Sequence, residues 1–298
     1  MDEPSHEPAS TKRWLTLTMI VAVGGLYLLP LAGHPPATNP NEVVRLELAV
    51  ALATRSTVEL EAPVLVYGLS EDVARRDGRI YSDKAPGLSL AAVPLVWVAG
   101  FVLPAIPGTG LPEYWPLRHA ATAGLVAAAT GLLCFVLAAR VPSTNTRELH
   151  RNGGRWIPLA VLAALATPLW TYGTVFFGHA PGAVLVAVAW ILLMRPFATT
   201  WTGGSRSSFV GGLAAGLAVA TEYPTALLVL VIFGTLVARR SPRRHLASSL
   251  IGLAVGLLPA LAYHQAAFGA AWLTGYAFKA DPGFAEIHSA GVAGISLP

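Results

Sequence analysis

Six stretches of this chain are too apolar and too long to be accommodated in water, and they decide what it can become. They cover residues 14–32, 87–106, 119–141, 156–195, 209–237 and 246–263. A helix crossing the hydrocarbon core of a bilayer needs about 20 mostly apolar residues, and these runs approach or exceed that length. Charged residues make up only 12% of the 298, against the roughly 25% of an ordinary soluble domain. Mean hydropathy is +0.58. A buried soluble core built from such runs would need more polar outer faces than they offer. The composition therefore predicts an all-α polytopic membrane protein.

The basic residues set its orientation. Arg140, Arg147, Arg151 and Arg155 form one basic loop, Arg195 and Arg206 a second, and Arg239, Arg240, Arg243 and Arg244 a third. Basic loops stay cytoplasmic, like the Lys12-Arg13 flank of the N-terminal tail, residues 1–13. If 87–106 crossed the membrane, the four-arginine loop would fall outside. If 87–106 lies along the interface, every basic loop falls inside. The second arrangement is expected, and Pro94 and Pro104 suit it. The runs 156–195 and 209–237 are then hairpins, dividing near Thr171-Tyr172-Gly173 and near Thr221-Glu222-Tyr223-Pro224.

The resulting plan has seven spans. The first is 14–32, whose apolar core is longer than the roughly 7–15 residues of a signal peptide. A large outer loop, 33–118, carries juxtamembrane helices. Spans two to seven fill 119–263, and 264–298 is an outer C-terminal segment. Inner segments then hold 12 of the 20 Lys and Arg but 4 of the 16 Asp and Glu, which fits a cytoplasmic N-terminus in a plasma-membrane, multi-pass protein. Topology accounts for the pI near 9.4, so no nucleic-acid partner is expected. The single cysteine, Cys134, excludes an internal disulfide, and the eight histidines show no metal-ligand spacing. Gly212/Gly216 and Gly252/Gly256 fit a close-packing pattern, but with 29 glycines in the chain they assign no dimer.

Against this apolar background a few polar residues stand out. The stretch PNEVVRLELAVALATR, 40–55, reads as a helix with Glu42 and Arg45 three apart on one face. On spacing alone that is a surface ion pair; at a lipid–water boundary it is a base and a phosphate clamp. In GRIYSDKAPG, 78–87, Ser82 and Pro86 read as a helix start. Lys84 does not, because a cation is disfavoured at the positive end of a helix. An anion arriving there would explain it, with Asp83 as counter-ion or second carboxylate. Asp77 and Arg79 sit in a polar turn. Glu222, at membrane depth between apolar runs, is a functional candidate by position. His179 is similar in kind and ranks below it. His264, Lys279 and Asp281 lie on the same outer side with weaker claims.

Taken in order, these elements resemble the GT-C polyprenyl-phosphate-sugar glycosyltransferases, which include protein O-mannosyltransferase-like and aminoarabinose transferase-like enzymes. Pro-Asn-Glu-Val-Val-Arg at 40–45 resembles the element that opens their first outer loop. Residues 78–87 resemble their G-x-x-Y-x-[DE]-K-x-P-[PG] element, and Gly-Leu-Ala-Val-Ala-Thr-Glu-Tyr-Pro at 216–224 resembles a later hairpin. The resemblance implies a GT-C-like bundle and transfer of a sugar from a polyprenyl-phosphate donor to an envelope or protein acceptor on the outer face, with inversion. Glu42 would be the base, Arg45 and Lys84 would bind the lipid phosphate, and Tyr81 and Asp83 would shape the site. Glu222, Tyr223 and His179 would line the cavity. Asn41 stands where many relatives carry the first acid, and one extra residue separates Glu42 from Arg45. Asp83 and Asp77 therefore stand beside Glu42 as alternative bases. No cofactor is expected, and the family is divided over a divalent metal. The chain stops soon after an outer loop begins, as in a partial member. Two other readings compete: a transporter or flippase of lipid-linked sugars, and a non-catalytic subunit of an envelope assembly. A transporter should show paired repeats, which the sequence lacks.

Overall fold

In the computed structural model the described residues are 39–113, 165–194 and 205–280, with Thr18, Ala22, Gly25, Leu26, Tyr27, Leu29, Arg118 and Thr122. They are mostly helical. The expected spans at 14–32 and 119–141 and the loop arginines at 140–155 fall almost entirely outside the described residues, as does Asp281.

Residues 39–113 begin with α1, Pro40–Arg55, the helix expected from the sequence. Asn39 caps it through its side chain, Pro40 pre-sets the first turn, and Ser56 ends it in a left-handed conformation. A short helix, α2 (Glu61–Tyr67), follows. Next comes a feature the all-α expectation lacked: an antiparallel hairpin of β1 (Val73–Arg76) and β2 (Arg79–Ser82). Its turn is Asp77-Gly78, both at positive φ, the pairing that two-residue hairpin turns demand. The polar turn expected at Asp77 and Arg79 is thus the tip of a β-ribbon. Then α3, Gly87–Val102, starts after Pro86, which lies just outside the helix rather than at its first position.

The remaining helices are α4 (Pro168–Gly173), α5 (His179–Leu193), α6 (Ser205–Thr221), α7 (Thr225–Ala238) and α8 (Arg243–Phe268). The breaks fall at 174–178 and 222–224, close to both expected hairpin divisions. Among the described residues, α8 is the one helix long and apolar enough to cross a membrane, at 26 residues. The apolar helices α3, α5 and α7 are shorter.

At the centre, α6 packs on α8 through glycines. A methyl group on Gly212 would sit 1.9 Å from the Ser249 carbonyl oxygen, and one on Gly252 would sit 2.1 Å from that of Phe209. Gly216 and Gly256 face each other in the same way. The two close-packing patterns therefore serve one another within the chain. The opposite faces are bare and apolar: Leu227, Leu230 and Val231 on α7, and Ile251 and Leu258 on α8, are all exposed. Within residues 39–113, one apolar cluster joins Leu46 and Val50 of α1 to Leu88, Ala92 and Val96 of α3. A second joins Val44 and Leu48 to the hairpin and to Tyr263 and Phe268 of α8. These clusters fix α1 between the hairpin and the bundle, so its polar face meets the ends of α5 and α6.

Candidate functional site

The start of α1 presents Arg45, braced by Asn41, to the break between α6 and α7. Arg45 is 1% exposed, and its donors are engaged inward. Nε donates to Asn41 Oδ1 at 2.7 Å, and Nη1 to the Ala85 and Thr221 carbonyls at 3.0 and 3.3 Å. Nη2 meets Glu222 Oε2 at 3.1 Å. One guanidinium thus ties α1 to the segment after β2 and to the end of α6. Two glycines permit the approach. A methyl group on Gly87 would lie 2.7 Å from the Ala220 carbonyl oxygen, and one on Gly178 2.4 Å from Glu222 Oε2. His179 Nδ1 completes the chain, 3.3 Å from the same Glu222 oxygen.

Glu42 faces the other way around α1. Its Oε1 accepts the Phe176 amide at 2.6 Å and Arg118 Nε at 3.2 Å, with Arg118 Nη2 at 3.1 Å. All these described contacts fall on one carboxylate oxygen. The carboxylate is buried but matched by a guanidinium and an amide, which is what a buried charge requires.

The question raised by Lys84 has a definite structural answer. Its ammonium lies 2.9 Å from Asp72 Oδ1 and 3.3 Å from Asp83 Oδ1. Lys279 reaches the same two carboxylates, 2.8 Å from Asp83 Oδ2 and 3.4 Å from Asp72 Oδ1. Both ammonium groups lie 5.9 Å from the centre of the Tyr276 ring, within cation–π range. Lys279 is carried there by the segment after α8, which bridges Ala74 of β1 and donates the Ala280 amide to the Val73 carbonyl. Burial pulls the Lys279 ammonium down, but the hydrogen bond and charge of Asp83 and the charge of Asp72 outweigh it and hold it above the ordinary lysine range.

Tyr223 and His264 form a side arm. His264 Nδ1 is 3.0 Å from the Ala271 carbonyl, so it carries the proton. Nε2 then accepts from the Tyr223 hydroxyl at 2.7 Å. Tyr223 also packs on Tyr276, which links this arm to the lysine pair. Tyr81 lies deeper, its ring edge-on to Phe268 in the apolar cluster beneath the hairpin.

The structure therefore brings Glu42, Arg45, Asp83, Lys84, Glu222, Tyr223 and His179 to one end of the helices. Asp77 is the exception: it sits at the outer tip of the hairpin, paired with Arg76 and 83% exposed, at the end of the ribbon opposite Ser82 and Asp83. A cavity of about 440 Å³ opens beside His179, between α4 and α5, lined by Leu169, Tyr172, Ala183 and Val184. Among the described residues, no group of His, Cys, Asp and Glu is arranged to hold a metal.

Sequence reasoning passed over Asp72, Arg118 and Tyr276, and underrated Lys279. One signal was available for Lys279. The chain has only three lysines, Lys12, Lys84 and Lys279, among its 20 basic residues, and two of them meet here. Glu47 was also missed. It is fully buried on α1 with neither carboxylate oxygen hydrogen-bonded, and burial pushes it up to about 8. The unfolded chain releases that proton near the ordinary value of 4.5, so folding becomes less favourable as pH rises from about 4.5 to about 8. Glu47→Gln is expected to raise the melting temperature most at pH 8, with the gain shrinking toward pH 5. A pH-independent difference in thermal unfolding would contradict this.

No family model matches the chain, and neither a curated protein nor a solved structure matches it.

Proposed function

We propose that the chain is a multi-pass membrane glycosyltransferase that moves a sugar from a polyprenyl-phosphate donor to an acceptor hydroxyl on the outer face. The reading rests on the resemblance at 40–45, 78–87 and 216–224. The observation that carries it is that these three segments, far apart in sequence, meet through the Arg45 guanidinium. A surface ion pair on α1 would have no need of a guanidinium buried among all three. The bare apolar faces of α7 and α8 fit lipid contact, and the length of α8 fits a span.

In this reading Glu42 is the base. Its Oε1 is anchored by Arg118 and Phe176, which leaves Oε2 to take the proton of the acceptor hydroxyl. The oxygen attacks the anomeric carbon as the bond to the lipid phosphate breaks, so the configuration inverts. Negative charge grows on the leaving phosphate, and fixed cations there favour the transition state. Lys84 is the direct phosphate ligand; Arg45 adds its charge and, through Ala85, positions the Lys84 segment. Asp83 and Tyr81 shape the pocket from below. Glu222 and His179 hold the inner wall, and the apolar cavity beside His179 suits part of a lipid chain.

Two variants test the assignment. Glu42→Gln and Lys84→Ala are each expected to abolish sugar transfer from a polyprenyl-phosphate donor in membranes while expression is unchanged. Full transfer by both would overturn it.

A further inference from the structure

The lysine cluster has an asymmetry that the proposed chemistry does not use. Its two carboxylates are differently placed. Asp83 is fully buried, and its side chain lies under the segment after α8, where a methyl group on Gly275 would come within 2.4 Å of Asp83 Cα. Asp72 stands at the edge, its side chain 13% exposed, next to Lys84 at 10%. Asp72 precedes β1 in a bend, and its backbone is held by the Ser70 hydroxyl. Its carboxylate is described in contact with the two lysines alone, both through Oδ1. Asp83, by contrast, uses both oxygens.

The charges of the cluster cancel: two ammonium groups, two carboxylates. A cluster built only for stability would have little reason to use lysine in a chain that otherwise relies on arginine. Lysine presents a compact charge with three rotatable donors, which can change partners; arginine offers a rigid fork that favours one. A phosphate group arriving at the edge would bring at least one negative charge and several strong acceptors. It would restore neutrality if it took the place of Asp72, while Asp83 stayed buried between the lysines.

We propose that Asp72 is an internal stand-in for a phosphate group, holding Lys84 and Lys279 in position until a phosphate-bearing ligand displaces it. The proposal rests on the reading of Lys84 as a phosphate ligand and adds two things to it. Lys279 becomes the second cation of the site, and Asp72 becomes a built-in competitor that sets its affinity. No bond is made or broken in the exchange; two ion pairs trade one carboxylate oxygen for phosphate oxygens.

The consequence runs against ordinary expectation for a buried ion pair, since removing one partner should improve the site. The test uses the full chain in detergent, titrated with farnesyl phosphate, inorganic phosphate and farnesol, and read by intrinsic fluorescence. Asp72→Asn is expected to bind farnesyl phosphate about tenfold more tightly, and Lys279→Gln about tenfold more weakly, each the size of one charged contact. Asp72→Glu, which keeps the competitor, should stay within about twofold of the parent chain. Farnesol should be indifferent to all three changes. If inorganic phosphate follows the same order, the phosphate group alone is recognised; if only farnesyl phosphate does, the ligand is a lipid headgroup. Either result supports the exchange.

An Asp72→Asn variant with an unchanged melting temperature and equal or weaker affinity would overturn it. Should that variant fail to fold, unaltered binding by Lys279→Gln would do the same, as would a folded parent chain that binds neither phosphate at millimolar concentration. Absence of sugar transfer alongside the expected binding order would sink the transferase reading and leave this one standing.

Discussion

Replacing Gly212 with alanine is expected to unseat the two central helices. The added methyl group would lie 1.9 Å from the Ser249 carbonyl oxygen and 2.9 Å from its Cα. Those are backbone atoms of a helix and cannot rotate away as a flexible side chain would. Overpacking a core costs about 1–3 kcal/mol when neighbours can adjust, and here α6 and α8 must separate along their contact. The cost should reach or pass the upper end of that range. Separation would also reach the site, because α6 ends at Thr221, next to Glu222, and both are partners of Arg45. The check is thermal unfolding of the solubilised variant, with Gly234→Ala as control. Gly234 has open space where its methyl group would go, so that change should be close to neutral or slightly stabilising for a helix. Equal melting temperatures for the two variants would contradict the packing described for α6 and α8.

Arg45→Met carries the second large effect. The substitution removes the guanidinium and leaves Glu222, the Asn41 side chain and the Ala85 and Thr221 carbonyls without their shared donor. Breaking a buried ion pair from one side costs about 3–5 kcal/mol, because the remaining charge stays buried and uncompensated. The double variant Arg45→Met/Glu222→Gln should recover part of that loss, since no lone carboxylate is left. A double-mutant cycle measures the coupling directly. Additive losses would mean that Arg45 acts through its carbonyl contacts and that its pairing with Glu222 is incidental.

The parts of the fold legible in the sequence are those governed by neighbours along the chain. Pro40–Arg55 is bounded by an asparagine cap, a proline in the first turn and a left-handed C-terminal residue, all local signals. The break at Glu222 shows because a charged residue and a proline interrupt an apolar run. The hairpin was equally local, and its Asp77-Gly78 turn is the strongest short signal for one. It went unread because an all-helical expectation absorbed it as a polar turn.

The site is a different matter. Arg45 reaches Thr221 and Glu222 across more than 170 positions, and Lys279 reaches Asp72 across 207. No periodicity encodes such pairings. Residue type gave partial guidance: Glu222 and Lys84 stood out because they are costly where they sit. Asp72 and Arg118 did not, since a loop acid and a loop arginine look like solvated surface until a partner is seen. Glu47 was hidden by its company, lying on a helix already credited with one polar face through Glu42 and Arg45.

The measurement closest to the central claim is release of polyprenyl phosphate from a polyprenyl-phosphate-sugar donor by the purified chain in lipid vesicles, with an envelope extract supplying the acceptor hydroxyl. The proposed site predicts release by the parent chain when the donor is in the leaflet that the site faces, and none from Glu42→Gln folded to the same melting temperature. Release at equal rates from both chains would contradict it, as would a folded parent chain that leaves every donor sugar intact.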